Sequence, residues 1–195
     1  MAEIELPNTE ELTEAREKGF TKRVAVTTAI FAVILAISSL GGNNATKEML
    51  LAQQQSSDQW AFYKSKVIRQ QLYNIEKMRT EAELLKSGPS MKPEVREKYE
   101  ATLKKVSDEE RRYDEEKKKI EQDAKELEHE RDRNRAKDPY FDFAEVLLQI
   151  SIVMASVSIL AVSRYLFSFD LVVAGLGTAL MLNGYLLLFR IPFFH

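Results

Sequence analysis

The sequence contains no cysteine and only two histidines among its 195 residues. The absence of cysteine excludes disulfide bonds, thiolate zinc sites, iron–sulfur clusters and cysteine nucleophiles. Glu126 and His129 have the spacing found in di-iron helical bundles, but such a site needs a second pair of this kind. The only other histidine is the terminal His195. The sequence therefore predicts no metal and no other cofactor.

The chain also lacks an excess of charge of either sign, since 28 lysines and arginines face 30 acidic residues. A nucleic-acid-binding protein would carry a strong basic excess, so this balance argues against that class. No grouping of nucleophile, base and oriented hydrogen-bond donors can be recognised either, and we predict that the protein is not an enzyme.

Charged residues are missing from three stretches, residues 24–46, 146–163 and 171–189. An α-helix rises about 1.5 Å per residue, so roughly 20 apolar residues cross a bilayer. We therefore predict transmembrane helices at residues 24–42, 143–163 and 170–190. A cleaved signal peptide explains the first stretch poorly, because the segment before it is long and carries both signs of charge.

A long charged region, residues 43–140, separates the first two predicted spans. No proline or glycine occurs between residues 43 and 87, which favours one long helix. Gly88, Pro89 and Pro93 then predict a turn at residues 87–93, and a second helix follows to about residue 137. The expected fold is an all-α membrane protein with three transmembrane helices and a long antiparallel, coiled-coil-like helical hairpin between the first and second.

Apolar residues recur every seven positions in both helices of this hairpin, which predicts a seam of coiled-coil type. The first helix carries Ile68, Leu72, Ile75, Met78, Ala82 and Leu85, and the second carries Tyr99, Val106, Tyr113, Ile120, Leu127 and Asn134. The seam is narrow, so a single pair of helices would be marginally stable. We therefore expect homo-oligomers in which the seams pack between subunits, with another protein partner as the alternative.

The least generic stretch follows the first predicted span and contains the only tryptophan. It matches an Asp-Gln-Trp-x-x-Tyr-x-x-Lys element through Asp58, Gln59, Trp60, Tyr63 and Lys66. In this element and in its layout, the chain resembles a family of small uncharacterised bacterial membrane proteins with a domain of unknown function. The resemblance implies a membrane location and no activity. These five residues are candidates either for packing between helices or subunits, or for binding a lipid or partner.

Small residues in the predicted spans mark candidate positions for helix packing. Gly175 and Ala179 form a small-xxx-small pattern, which lets helix backbones approach closely. Asn183 is the one strongly polar side chain at depth in the last span, and we expect it to form an interhelical hydrogen bond.

The distribution of positive charge predicts the orientation in the membrane. Lysines and arginines are frequent in the amino-terminal segment, residues 1–23, where Asn8 and Glu11 also predict a short capped helix that ends near Gly19. Long translocated segments count little toward orientation. We therefore predict a bacterial inner-membrane protein with a cytoplasmic amino terminus and an extracytoplasmic hairpin.

These features favour a self-associating structural or scaffolding protein in the lipid bilayer. The alternative is a subunit of an oligomeric channel or transport complex, which would need polar or charged groups inside the membrane. The charged residues near the spans are expected at their edges: Asp142, Glu145, Arg164, Asp170 and Arg190.

Overall fold

A computed structural model of the protein describes residues 9–189, and every regular element within that range is helical. Its helices are α1 (Thr9–Ser87), α2 (Pro93–Arg135), α3 (Asp138–Leu160) and α4 (Arg164–Leu186). No proline interrupts α1, whereas prolines lie in the first turns of α2 and α3, where the missing N–H group costs little. The described part of the chain is therefore all-α.

Three helical stretches are long and apolar enough to cross a membrane. They lie within Arg16–Ser87, Pro93–Leu160 and Arg164–Leu186. Each of them contains one of the three uncharged stretches of the sequence. The last two stretches are separated at Val162, which adopts a left-handed backbone conformation. The next residue, Ser163, caps α4, because its hydroxyl accepts a hydrogen bond from the N–H of Leu166.

The chain divides into two compact units. The apolar unit comprises residues 1–48 and 133–195, of which 9–48 and 133–189 are described. The charged unit comprises residues 49–132. The first part of α1 therefore belongs to the apolar unit, together with α3 and α4, and the second part packs with α2 in the charged unit.

The core of the apolar unit is built around Phe141, whose side chain is 1% exposed. Its ring meets that of Tyr185 edge to face at 4.9 Å, and the Tyr185 hydroxyl donates a hydrogen bond to the carbonyl of Ile37 at 3.0 Å. Glycines line the space around the ring. A methyl group at Gly184 would lie 3.1 Å from the Phe141 ring, and one at Gly41 only 2.6 Å from it. The aromatic core thus depends on backbone approach at these glycines.

A second buried cluster joins the same three helices, with Phe31 from α1, Leu148 from α3 and Ala174 from α4. Gly177 packs closely beside it. A methyl group there would lie 3.1 Å from Leu148 and 3.2 Å from the carbonyl oxygen of Ala144. Close contact between α3 and α4 therefore requires a small residue at this position.

Small residues bring α1 and α2 together in the charged unit. Ala52 and Ser56 on α1 and Ala124 on α2 are each no more than 3% exposed, and the Ser56 hydroxyl donates a hydrogen bond to the Ala124 carbonyl at 3.4 Å. Further along α1, Tyr73 stacks on Tyr113 with ring centroids 5.5 Å apart. Positions further along α1 therefore contact positions nearer the start of α2.

The column of seven-residue repeats on α2 lies on its buried side within the charged unit. Val106 and Tyr113 are buried there, and Ile120 and Leu127 are half-buried. The seven-residue column predicted on α2 is therefore a buried or half-buried side of that helix.

The apolar column on α1 behaves differently from the seam expected there. Its large side chains are between 59% and 83% exposed; we name them the outer stripe, consisting of Ile68, Leu72, Ile75, Met78 and Leu85. The buried side of α1 carries other residues at the same spacing, among them Tyr73 and Thr80. The expected seam is therefore corrected: polar and small residues, with Tyr73, face α2, and the aliphatic column faces outward.

Two further differences concern the helix ends. The short amino-terminal helix was expected to end at Gly19, yet α1 runs through this residue without a break. Asp170 was expected at the edge of a span but lies inside α4, because that helix already begins at Arg164. Asn8 of the expected cap, together with Arg190 and His195, lies outside the described residues.

We expect Gly41→Ala to lower the thermal stability of the detergent-solubilised protein. The added methyl group would lie 2.6 Å from both the Phe141 ring and the Tyr185 hydroxyl oxygen, and such overpacking costs about 1–3 kcal/mol. Gly175→Ala is the matched control, because nothing lies within 4 Å of a methyl group there. It should leave the midpoint of thermal unfolding unchanged or raise it. Equal effects of both substitutions would contradict this account of the core.

Candidate functional site

Three residues of the Asp-Gln-Trp element lie together against α2. The indole N–H of Trp60 donates a hydrogen bond to Glu128 at 3.0 Å, and its ring meets that of Tyr63 edge to face at 5.4 Å. Lys66 follows on the same side of the helix. Because residues three or four positions apart share one face of a helix, the spacing of the element explains this grouping.

The other two residues of the element are more accessible. Asp58 is exposed and Gln59 is half-buried. Phe62, inside the element, is 60% exposed although it is a large apolar residue. The structure thus gives Trp60, Tyr63 and Lys66 a common packing environment and leaves Asp58 apart from it.

Lys66 lies at the centre of a group of charges beside an aromatic ring. Its ammonium group forms an ion pair with Glu116 at 2.5 Å and lies 5.2 Å from the centroid of the Tyr113 ring. Arg112 approaches Glu116 at 3.3 Å and packs on the same ring at 4.9 Å. The hydrogen bond from Lys66 holds the pKa of Glu116 below its ordinary value, and the charge of Arg112 adds to this effect.

Gln70 continues the polar contacts one turn further along α1. Its amide group donates to Asp114 at 3.2 Å and accepts a hydrogen bond from Lys117 at 2.7 Å. Hydrogen bonds from Lys118 and then Lys117 lower the pKa of Asp114 from 3.8 to about 2. Both ends of the amide are therefore used, which fixes the side chain of Gln70 between the helices.

The last ion pair between α1 and α2 joins Lys77 to Glu110 at 3.0 Å. These polar contacts were not predicted from the sequence, because the aliphatic column was expected to form the contact between the helices. A detectable signal was present, since Lys66, Tyr73 and Thr80 repeat every seven residues, as do Gln70 and Lys77.

The chemical groups of this surface pair with each other. Its carboxylates accept hydrogen bonds from lysine, arginine, glutamine or indole groups, an arrangement suited to joining helices. Among residues 9–189, no cluster of three or more histidine, aspartate or glutamate side chains is placed to hold a metal ion. Glu126 and His129 are both exposed on α2.

The candidate packing residues of the last span occupy different environments. Gly175 and Ala179 are exposed, and no atom lies within 4 Å of a methyl group built at Gly175. Asn183 bonds to Phe189 beyond the end of α4, donating to its carbonyl at 2.8 Å and accepting from its N–H at 2.9 Å. These bonds cap α4 within the chain, whereas an interhelical bond was expected. Helix packing at Gly175 and Ala179 stays a prediction.

Asp170 is a buried carboxyl group in the apolar unit. Its side chain is fully buried, and neither carboxyl oxygen has a hydrogen-bond partner of ordinary geometry among the described residues. The hydroxyl of Ser151 lies alongside and donates to main-chain oxygens, that of Leu147 at 2.9 Å and that of Asp170 at 3.4 Å. The start of α4 at Arg164 places Asp170 inside this helix, and packing against α3 at Ser151 buries it. The Ser163 cap could have predicted the helix start from the sequence, but not the burial.

A protein family described as "Domain of unknown function (DUF4337)" matches residues 20–187 of the chain. The chain belongs to this family. No curated protein and no solved structure matches it. The DUF4337 match includes Trp60, Lys66 and Asp170, and it extends over both units. Because the family description assigns no activity, the function of this DUF4337 protein has to be argued from its geometry.

We expect acid to weaken the charged unit of this DUF4337 protein. The pKa values of Glu116 and Asp114 lie below the ordinary values of 4.5 and 3.8, so their contribution to stability is complete above those values. It is lost as the pH falls through the lowered pKa values, toward about 2 for Asp114. Urea unfolding followed by the fluorescence of Trp60 should show this loss between pH 5 and pH 2.

Glu116→Gln should make this pH dependence shallower, because one of the two titrating carboxylates with a lowered pKa is removed. The matched control is Glu115→Gln, since Glu115 is exposed and its ion pair with Arg111 lies within α2 at the limiting distance of 4.0 Å. A pH dependence that is equally steep in wild type and in Glu116→Gln would show that Lys66 and Glu116 do not couple α1 to α2.

Proposed function

We propose that this protein is a multi-pass membrane protein that self-associates into a structural or scaffolding assembly. The observation that carries the proposal is the outer stripe. A helix of the charged unit presents five large apolar side chains to its surroundings, although its buried side is largely polar. Exposed apolar rows of this kind mark sites of association with another surface. The proposal assigns no catalytic activity and no cofactor.

Membrane insertion is supported by the exposure of the apolar helices. Val33 in α1, Val153 in α3 and Val172 in α4 are each at least 60% exposed, and the stretches around them carry no charge. Such surfaces are stable when lipid covers them. Lysine and arginine residues of the amino-terminal segment favour a cytoplasmic amino terminus, with the charged unit outside the cytoplasm, in a bacterial inner membrane.

The charged unit is proposed to be an antiparallel hairpin. Three hydrogen bonds between α1 and α2 support this: Trp60 donates to Glu128, Lys66 donates to Glu116, and Lys77 donates to Glu110. The residue number of the partner on α2 decreases as the residue number on α1 increases, as an antiparallel pair requires.

Self-association predicts more than one chain per particle in a native-like bilayer. We would extract the protein directly into polymer nanodiscs and count subunits by mass photometry, because no detergent then competes for the apolar surfaces. Dilution with a large excess of lipid discs controls for chains that share a disc by chance. A single chain per particle under these conditions would contradict the proposal and point to a different protein as the partner.

A channel or transport subunit is the second candidate function, and Asp170 is the observation that favours it. A buried ionisable residue within an apolar helix is costly, and such residues often mark ion or proton pathways. Ser38 Oγ is also buried in the apolar unit without a hydrogen-bond partner among the described residues. In this second function, both groups would bind a permeating ion or proton.

For this second function, liposomes reconstituted with the protein should conduct protons or cations, and Asp170→Asn should abolish the flux, because it removes the ionisable group while keeping the size of the side chain. Asp142→Asn is the matched control, since Asp142 is an exposed carboxylate in α3. Dye-monitored flux assays compare the three proteins. Wild-type liposomes that stay as tight as empty ones would contradict the transport function.

A further inference from the structure

The outer stripe of α1 has the residue pattern of a coiled-coil seam. Ile68 and Ile75 stand seven residues apart, Met78 follows Ile75 by three, and Leu85 follows Met78 by seven. This spacing places the isoleucines at the a positions of a heptad and Met78 and Leu85 at the d positions. β-branched residues at a with leucine at d favour parallel pairs of two helices.

The seam has no partner helix among the described residues. Ile68, Ile75 and Leu85 are 59%, 63% and 83% exposed, whereas the α2-facing residues Tyr73 and Thr80 are half-buried and buried. The charged unit therefore uses one side of α1 for α2 and leaves a second row of heptad positions open to its surroundings, apolar except for Gln71 at the first d position.

We propose that the outer stripe binds the outer stripe of a second copy of this chain, with the two α1 helices parallel and in register. This inference rests on the proposed function, since copies inserted in one membrane with one orientation run α1 in the same direction. In this arrangement each a and d residue meets its own counterpart: Ile68, Ile75, Met78 and Leu85 each pack against the same residue of the other copy.

The residues beside the seam favour this direction. In a parallel pair, a g residue of one helix lies next to the e residue five positions later in the other helix. Glu81 of one copy thus meets Lys86 of the other, which joins opposite charges on two exposed side chains. Two heptads earlier, Val67 meets Leu72, which joins two apolar side chains.

An antiparallel pair would match these flanks poorly. In an antiparallel pair, the a residues of one helix pack against the d residues of the other, so Ile68 lies opposite Leu85. This arrangement brings Leu72 beside Arg79 of the other copy. Glu81 would lie near Asn74 and would lose its basic partner. The apolar seam is satisfied in both directions, but only the parallel pair also matches charge and hydrophobicity at its edges.

The length of the stripe explains why the membrane matters to this contact. From Ile68 to Leu85 the seam extends roughly 25 Å, which is short for an isolated coiled coil. Two chains held in one bilayer meet at a much higher effective concentration than two chains in solution. The paired stripes therefore contribute to assembly in membranes even though they are weak by themselves.

Disulfide cross-linking tests the contact directly, because the natural chain has no cysteine. We expect Ile68→Cys to form a disulfide-linked dimer in nanodiscs on mild oxidation, because the proposed register places the two copies of residue 68 opposite each other. The Cα atoms of bridged cysteines lie about 5.5–6 Å apart. Gln122→Cys, at an exposed position of α2, is the control and should stay unlinked. In a mixture of the Ile68→Cys and Leu85→Cys variants, disulfides that formed only between the two different variants would overturn the parallel register.

Charge exchange provides a second test. Glu81→Lys and Lys86→Glu should each lower the yield of the Ile68→Cys dimer, because each places like charges side by side across the interface. The double exchange should restore the yield, since it returns opposite charges in reversed order. A double exchange that stays as low as either single one would overturn the proposed pairing.

Disruption of the seam provides a third test of the contact between the two outer stripes. Ile75→Glu should weaken self-association roughly tenfold or more, since it buries a carboxylate at the centre of the seam and a tenfold change corresponds to about 1.4 kcal/mol. Phe62→Glu is the matched control, because Phe62 is also 60% exposed but lies outside the stripe. The fluorescence of Trp60 shows whether each variant keeps its folded charged unit.

The outcomes separate this inference from the proposed function. A wild-type protein that is monomeric in lipid would refute self-association as a whole. A wild-type oligomer in which Ile68→Cys does not link, and which Ile75→Glu leaves intact, would overturn the outer stripe as the contact while the scaffold function stands. Equal losses with Ile75→Glu and Phe62→Glu would also overturn it, because the effect would then not be specific to the seam.

Discussion

The rotational setting of α1 against α2 decides which surface the charged unit presents. The second half of α1 carries two columns of seven-residue repeats, one aliphatic and one composed of small, polar and aromatic residues. Close approach of Ala52 and Ser56 to Ala124 requires the second column to face α2. Because both columns keep the same period, this choice at one end of the unit turns Ile68 and Ile75 outward along its length.

Polar contacts make this setting stable along α1. Lys66, Gln70 and Lys77 reach acceptors on α2, and the stacking of Tyr73 on Tyr113 contributes an apolar contact between them. Each half-exposed ion pair is weak by itself. Several of them in one row define the register, because a shift of either helix would separate all of the pairs at once.

In the apolar unit, the helices approach each other through glycines. Gly41 and Gly184 leave room for the Phe141 ring, and Gly177 lets α4 approach Leu148. Asp170 adds a fully buried carboxyl group to this unit. The two units thus bring helices together by different means, close backbone approach in one and polar side-chain contacts in the other.

The sequence by itself determined the all-α class, the positions of three apolar helices and the turn at Gly88, because charge segregation, helical length and glycine or proline breaks are local properties. It also identified Trp60 and Lys66 as distinctive. Tertiary structure alone decided that the aliphatic column of α1 faces outward and that Asp170 is buried. The first depends on which of two equally periodic faces of α1 meets α2, and the second on how α4 packs against α3 at Ser151. Contacts between residues distant in the sequence settle both.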